Sequence, residues 1–175
     1  GDLGQQILQQ IAQLGHDYTG VFEQLLTAVP TGLKIDTPAL GSQTLHDIFL
    51  AKSGDDVIVM DSTMTQVHGY NGDDTIYAST NNSRMMGDYG SDTYVLFKGH
   101  GQDIIAEEGQ TTDVDVLKFI DVNFMEVKFK RVGNDLILSG YHGIDQITIE
   151  NAYLGKEYGI ETFIFADRTL SDQAI

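Results

Sequence analysis

The sequence contains no cysteine and no tryptophan, and only two of its 175 residues are proline. The absence of cysteine excludes disulfide bonds and thiol chemistry, and it leaves the redox compartment open. No apolar run reaches the roughly 20 residues that a transmembrane helix needs. The first residues, Gly1 to Gly4, also lack the basic and apolar segments of a cleavable signal peptide.

Basic residues are scarce as well: the chain has 10 Lys and Arg against 26 Asp and Glu, for a formal net charge of −16. This balance disfavours nucleic acid and anionic membranes as partners, because a phosphate-rich partner needs a basic face. An acidic surface often serves only solubility. Here, however, twelve acidic residues lie between Gly54 and Asp115 against only two basic ones, Arg84 and Lys98, and this concentration favours bound cations.

Catalytic motifs are also missing. The sequence has no His-Glu-x-x-His and no Gly-x-Ser-x-Gly, and its five histidines show no metal-ligand spacing. His100, in a predicted closing loop, could contact a neighbouring carboxylate, but we interpret it as a surface turn residue. The sequence therefore predicts a protein that is not an enzyme.

What the sequence does contain is a repeat. Three segments, Gly54–Ile58, Gly72–Ile76 and Gly90–Tyr94, share the pattern Gly-x-Asp-x-apolar and follow one another at steps of eighteen residues. A fixed period indicates one structural unit stacked on itself. We interpret each coil as two nine-residue units, each with about six turn residues and three strand residues, so that positions eighteen apart stack at about 4.8 Å.

The two edges of this predicted coil differ. Nine residues away from each motif the apolar position survives, at Phe49, Val67 and Met85, but the glycine and the aspartate are mostly lost. We therefore predict that both edges bury a side chain, while only one edge carries acidic loops.

These acidic loops point to a cation. Asp56, Asp74 and Asp92 stack in this arrangement, and each neighbouring pair of carboxylates would repel by roughly 3 kcal/mol at an effective dielectric near 20. Ca²⁺ binds oxygens at about 2.3–2.6 Å, so an ion midway between two stacked carboxylates reaches both. Mg²⁺ demands a smaller octahedral site, and Zn²⁺ prefers His or Cys ligands. The loops therefore predict bound Ca²⁺, and the alternative is an acidic β-helix without ions.

Two of the units carry a family resemblance. Gly69–Tyr77 and Gly87–Val95 resemble the RTX (repeats-in-toxin) nonapeptide, Gly-Gly-x-Gly-x-Asp-x-apolar-x, with Tyr70 and Asp88 in place of its second glycine. The segment from Asp115 to Asp167 resembles the β-rich stretch that follows and caps such repeats. The fold class that the resemblance implies is mainly β: a short parallel β-roll of nonapeptide repeats and a C-terminal β capping segment, to which the sequence adds an N-terminal α-helix.

The chain divides accordingly into four parts: an N-terminal helical segment at 1–30, a connection at 31–44, the calcium-binding β-roll at 45–108 and a β-rich C-terminal cap at 109–175. Apolar residues of the first part recur at three- and four-residue steps, as on one face of a helix, and Pro30 ends the pattern. A short strand is expected near Gly32 to Ile35, and about five or six strands are expected after Val114.

The resemblance implies about two Ca²⁺ ions, one between the loops that end at Asp56 and Asp74 and one between those that end at Asp74 and Asp92. A third ion follows at the closing end if Asp103 contributes. The implied ligands are loop carboxylates and backbone carbonyls, from Asp56, Asp74, Asp92, Asp103, Ser53, Gly54, Gly69, Asn71, Gly72, Gly87, Tyr89 and Gly90.

The resemblance also implies a function. RTX proteins leave the cell unfolded through type I secretion machinery and fold outside, where Ca²⁺ is plentiful. The chain is thus expected to be a non-catalytic calcium-binding module of a secreted bacterial protein, located outside the cell or on its surface. The family's secretion signal normally lies at the extreme C-terminus, beyond the cap.

Two alternatives stay open at this point. The first is a recognition or adhesion module that binds a cell surface, glycan or peptide, through an exposed aromatic patch formed from Tyr141, Tyr153 or Tyr158. The second is an accessory module of a polysaccharide-modifying enzyme.

Overall fold

The structure is a computed structural model that describes residues 34–36, 54–62 and 64–175. The predicted N-terminal helix at 1–30, together with Phe49 and Ser53, lies outside the described residues. The described part of the chain is built of strands and single-turn 3₁₀ helices, without an α-helix. None of its helices is long and apolar enough to cross a membrane.

Short strands make up two sheets. The strands are β1 (Lys34–Asp36), β2 (Val57–Val59), β3 (Gln66–His68), β4 (Thr75–Tyr77), β5 (Arg84–Met86), β6 (Thr93–Leu96), β7 (Gln102–Ile105), β8 (Val116–Phe119), β9 (Lys128–Val132), β10 (Asp135–Ser139), β11 (Gln146–Ile149), β12 (Thr162–Ile164) and β13 (Thr169–Ser171). The 3₁₀ helices are Phe124–Glu126, Lys156–Tyr158 and Asp172–Ala174. The first sheet has the order β1-β2-β4-β6-β8-β12-β13, and the second has the order β3-β5-β7-β11-β10-β9.

The repeat strands alternate between the two sheets. Strands β2 to β7 begin at nine-residue steps, so each nine-residue unit supplies one strand and one turn. Within the first sheet the neighbours are parallel, and Ile58, Ile76 and Tyr94 pair in succession eighteen residues apart. The structure thus confirms the predicted parallel β-roll. Strand β1 pairs in parallel with β2 and lies where a short strand was expected.

The register lengthens toward the closing end of the roll. Met85 pairs with Ile105, and the neighbouring hydrogen bond from Ser83 to Asp103 spans 20 residues instead of 18. Tyr94 pairs with Leu117, where the matching hydrogen bond spans 23 residues. The extra residues lie in the turns and not in the strands, because the strands stay in parallel register across the change.

The closing strands continue the same two sheets. In the first sheet β8 pairs in parallel with β6, and β12 with β8. In the second sheet β11 pairs in parallel with β7, and β10 and β9 follow as an antiparallel meander. The six strands after residue 115 therefore cover the last open coil of the roll by extending it.

The core lies between the two sheets. In most repeat strands the central side chain points inward and its two neighbours are partly exposed, which is the period of two that a strand imposes. The inward residues of successive coils form columns of fully buried side chains. These columns are Ile58, Ile76, Tyr94, Leu117 and Phe163 in the first sheet, and Val67, Met85, Ile105 and Ile149 in the second.

One hydrogen bond ties this core to a loop. The Tyr94 hydroxyl is buried and accepts the backbone N–H of Gly87 at 2.7 Å. We predict that Tyr94→Phe destabilises the calcium-loaded protein by about 1–3 kcal/mol, because the buried Gly87 N–H loses its acceptor. Urea denaturation at saturating Ca²⁺ measures this change. Tyr77→Phe is the matched control, since the Tyr77 side chain is exposed; equal losses in the two variants would contradict the prediction.

Candidate metal centre

The acidic loops all lie on one edge of the roll, where they lead into the strands of the first sheet. The glycine that begins each Gly-x-Asp motif has a positive φ, of 120° at Gly54, 124° at Gly72 and 135° at Gly90. Residues with a side chain rarely adopt this backbone conformation. They also stack closely: a Cβ atom placed on Gly72 would lie 2.6 Å from the carbonyl oxygen of Gly54. Glycine at this position therefore allows the loops to approach one another.

The second glycine of the family pattern is not required for the loop conformation. Tyr70 and Asp88 replace it here, and both adopt a positive φ, of 74° and 70°. A non-glycine residue in this region costs about 1–2 kcal/mol. Despite that cost, Asn71 and Tyr89 of successive loops pair as an isolated parallel bridge. The loops thus stack in register in spite of the two substitutions.

Four aspartates form a ladder along this edge, which we call the aspartate ladder: Asp56, Asp74, Asp92 and Asp115. In each step the backbone N–H of one aspartate donates to Oδ1 of the aspartate in the next coil, at 2.8 Å in all three steps. All four side chains are buried, with at most 3% of their surface exposed. The hydrogen bonds fix the register, and they use only one oxygen of each accepting carboxylate.

The second oxygen of two ladder residues has no hydrogen-bond partner among the described residues. These atoms are Oδ2 of Asp74 and Oδ2 of Asp92, and both are buried. A buried ionised oxygen without a partner is strongly unfavourable. A cation is the partner that such an oxygen lacks.

Glycines shape the space around these two oxygens. A Cβ atom on Gly69 would overlap Asp74 Oδ2 and would lie 2.8 Å from the carbonyl oxygen of Gly87. A Cβ atom on Gly87 would overlap Asp92 Oδ2 in the same way. The donor set is made of oxygens only, which is the chemistry that Ca²⁺ prefers. The residues present therefore fit calcium, with Asp74 Oδ2 and the Gly87 carbonyl as ligands that converge beside Gly69.

The electrostatics of the ladder point the same way. Burial raises the pKa of Asp74, Asp92 and Asp115 from 3.8 to about 7; the backbone hydrogen bonds oppose the rise, and neighbouring aspartates add to it. A bound cation acts against both burial and repulsion, because it favours the ionised form.

Most of the predicted ligands lie together in these loops. Gly54, Gly69, Asn71, Gly72, Gly87, Tyr89 and Gly90 all belong to the acidic edge, whereas Ser53 is outside the described residues. Two predicted carbonyl ligands already accept backbone hydrogen bonds: Asn71 from Gly54 at 2.5 Å, and Tyr89 from Gly72 at 2.9 Å. These two carbonyls contribute to the stacking of the loops, and their role as metal ligands stays a prediction.

Asp103 does not lie with the other predicted carboxylates. It belongs to β7 in the second sheet, where its Oδ1 accepts the backbone N–H and the hydroxyl of Ser83, both at 2.7 Å. Its Oδ2 contacts Nδ1 of His100 at 2.5 Å, and Nε2 of His100 contacts the Tyr141 hydroxyl at 2.7 Å. Both oxygens of Asp103 thus have partners within the protein. His100 is fully buried, so its interpretation as a surface residue is wrong.

Sequence reasoning missed two acidic residues at the site, Asp115 and Glu107. Asp115 falls outside the eighteen-residue step because the register lengthens before it. A local signal was nevertheless present, since Asp115-Val116-Leu117 repeats the Asp-x-apolar pattern of the three earlier loops. Glu107 lies in no motif, and only the fold brings it to the ladder.

Comparison with known proteins agrees with this geometry. The model of the haemolysin-type calcium binding protein related domain matches residues 135–173. The plasmid haemolysin of Escherichia coli is 43% identical over 54 residues, which are 31% of this chain. The chain spans only 5% of the length of that relative. These partial matches, together with the repeats, support an RTX-type protein and a calcium-binding module.

The raised pKa values predict how pH affects the calcium-free protein. Because three buried carboxyls titrate near 7 in the folded chain and near 4 when unfolded, the folded chain holds more protons between these values. Its stability should therefore fall as pH rises from about 4 to 7. The far-UV β signal of the calcium-free protein measures this trend as a folded fraction that decreases with pH, and a β signal that rises with pH would contradict it. Asp74→Asn should reduce the trend more than Asp73→Asn, which alters an exposed carboxylate.

The role of the glycines beside the ladder oxygens can be tested separately. Gly87→Ala should displace the Asp92 carboxylate, because the added Cβ overlaps its Oδ2 and lies 2.4 Å from its Cγ. We expect at least a tenfold loss of calcium affinity, equivalent to about 1.4 kcal/mol or more. Isothermal titration measures it. Gly159→Ala is the control, since its Cβ would meet nothing closer than 3.6 Å; an equal loss there would indicate a general effect of alanine.

Proposed function

We propose that this chain is a non-catalytic calcium-binding RTX module of a secreted bacterial protein, in which Ca²⁺ drives folding. The observation that carries the proposal is the pair of buried carboxylate oxygens, Asp74 Oδ2 and Asp92 Oδ2, that have no hydrogen-bond partner among the described residues. Asp74 Oδ2 and the Gly87 carbonyl oxygen lie beside Gly69, and Asp92 Oδ2 lies beside Gly87.

Calcium would drive folding through mass action. The stacked carboxylates exist as a group only in the folded chain, so an ion held between them binds the folded state and not the unfolded one. Such binding stabilises the fold by an amount that grows with the ion concentration relative to its Kd. Repulsion between the ladder residues opposes folding until the ion is bound. The fold is thereby tied to the calcium concentration around the chain.

This dependence suits export by type I secretion machinery. A chain that folds only at high Ca²⁺ stays unfolded inside the cell and folds outside, where Ca²⁺ is plentiful. Its strands of three to five residues support the same view, because the roll is made of short strands that have little stability before they stack. The sequence contains no cysteine that could stabilise the fold by other means.

The recognition alternative receives less support. It requires an exposed aromatic patch on the closing segment, but Tyr141 is buried against Phe119 and His100. Tyr158 is partly buried, and Tyr153 is exposed with its ring under the guanidinium of Arg131, at 4.2 Å from its centroid. Of the three tyrosines, only Tyr153 is therefore exposed. The accessory role in a polysaccharide-modifying enzyme depends on the parent protein and has no feature of its own in these residues.

A calcium titration tests the proposal. Protein stripped with EDTA should gain far-UV circular dichroism of β structure on addition of millimolar Ca²⁺. Asp74→Asn should shift the midpoint of this gain to at least tenfold higher Ca²⁺, because it removes a buried charge while its amide oxygen still accepts the Asp56 N–H. Asp73→Asn is the matched control: Asp73 is the exposed neighbour, and its Oδ1 likewise accepts a backbone N–H, that of Ser91.

Two outcomes would contradict the proposal. A stripped protein that already shows the full β signal, and does not change with Ca²⁺, does not fold through calcium. Equal midpoints for Asp74→Asn and Asp73→Asn would mean that overall charge, and not the buried ladder, governs the response.

A further inference from the structure

A second group of carboxylates lies at the closing end of the aspartate ladder. Side-chain oxygens of Asp92, Glu107 and Asp115 all lie within 4.8 Å of one another, and all three residues are buried. They come from three parts of the chain: the last repeat loop, the segment after β7, and the residue just before β8. Nearness of acidic side chains alone does not define a metal site. The burial of Glu107 and its lack of hydrogen-bond partners are the additional evidence.

Glu107 is buried without the partners that a buried carboxylate needs. Its side chain is 1% exposed, and neither of its carboxylate oxygens has a hydrogen-bond partner among the described residues. Other buried acids of the second sheet differ: Asp145 accepts the backbone N–H groups of Gly99 and Gly101, and Asp103 is bonded to Ser83 and His100. Glu107 thus has two buried oxygens directed at two other carboxylates.

Among the described residues, the charged groups that act most strongly on Glu107 are acidic, namely Asp115, Asp92 and Asp88. Burial and these neighbours raise the pKa of the Glu107 carboxyl well above its ordinary value, and the Gly87 backbone N–H only partly opposes the rise. That N–H donates its hydrogen to the Tyr94 hydroxyl.

We propose that Asp92, Glu107 and Asp115 form a separate calcium site, whose glutamate ligand comes from outside the nonapeptide repeats. The ligand atoms are oxygens only, so the site favours a hard cation over Zn²⁺. Oxygens within 4.8 Å of one another lie inside twice the Ca²⁺–oxygen distance of about 2.3–2.6 Å, so one Ca²⁺ ion could contact all three. The inference rests on the proposed calcium binding, but it assigns a ligand and a position that the repeats do not contain.

The position of this site gives it a distinct effect. An ion held by Asp92 and Asp115 joins the last repeat loop to the start of β8, and Glu107 adds the segment that connects the two sheets. Ca²⁺ at this site therefore holds the closing strands against the last coil. Ions between the earlier loops hold only repeats together.

The test counts bound ions. Equilibrium dialysis with ⁴⁵Ca and isothermal titration are applied to the 175-residue chain and to two variants, Glu107→Gln and Glu108→Gln. Glutamine keeps the size of the side chain and removes its charge. Glu107→Gln should lose one bound Ca²⁺ per chain. Glu108 is the adjacent exposed glutamate, so Glu108→Gln should keep the number of ions and their affinity.

A second readout separates a metal ligand from a structural residue. Without calcium, Glu107→Gln should show no less far-UV β signal than the unchanged chain, because it removes a buried carboxyl group that has no partner. At saturating Ca²⁺, the thermal midpoint of Glu107→Gln should be lower than that of the unchanged chain. Hydrogen exchange of β8 and β12 should slow with Ca²⁺ in the unchanged chain and much less in Glu107→Gln.

The outcomes distinguish this inference from the proposed function. If the unchanged chain binds no Ca²⁺, both fail. If it binds Ca²⁺ and Glu107→Gln binds the same number of ions with the same affinity, only the closing site fails. A calcium-free β signal that falls in Glu107→Gln would also overturn it, since the carboxyl group would then stabilise the fold without an ion.

Discussion

Stacked, buried carboxylates are the constraint on which the rest of this structure depends. Asp74, Asp92 and Asp115 each accept a backbone N–H of the preceding coil through one carboxylate oxygen, and these bonds fix the register of the coils that carry the ladder. The same packing removes the charges from water and brings them together, which opposes folding. Among the described residues, the ladder contains no positive charge that offsets the repulsion between its carboxylates. Cations from the solution are needed to offset it.

On the opposite edge of the roll, groups of the protein itself compensate a buried carboxylate. Asp103 is buried in the second sheet, but a hydroxyl, a backbone N–H and an imidazole surround its carboxylate. The imidazole is held in turn by the Tyr141 hydroxyl from the closing strands. One edge of the roll is thus stabilised by the protein alone, while the other is left with oxygens that need an ion.

The parts of this fold that are local in sequence could be predicted from it. The eighteen-residue step placed Asp56, Asp74 and Asp92 on one edge, and the two-residue alternation placed most of the closing strands. The features that could not be predicted depend on packing between distant segments. Added turn residues move Asp115 out of the eighteen-residue step, and Glu107 belongs to no motif. His100 is buried by the closing strands. Such contacts have no periodic signal, because the fold alone brings their partners together.

The division of each coil into two nine-residue units has a consequence for how such a module can change in length. Inserting eighteen residues adds a whole coil and one more rung to the acidic edge, while the closing end keeps its geometry. Inserting nine residues would move the acidic loops on one side of the insertion to the opposite edge of the roll. An acidic loop would then lie above Ser83 and His100. Growth by whole coils therefore preserves the acidic edge and the closing end, whereas a half-coil would break the stacking of the acidic loops.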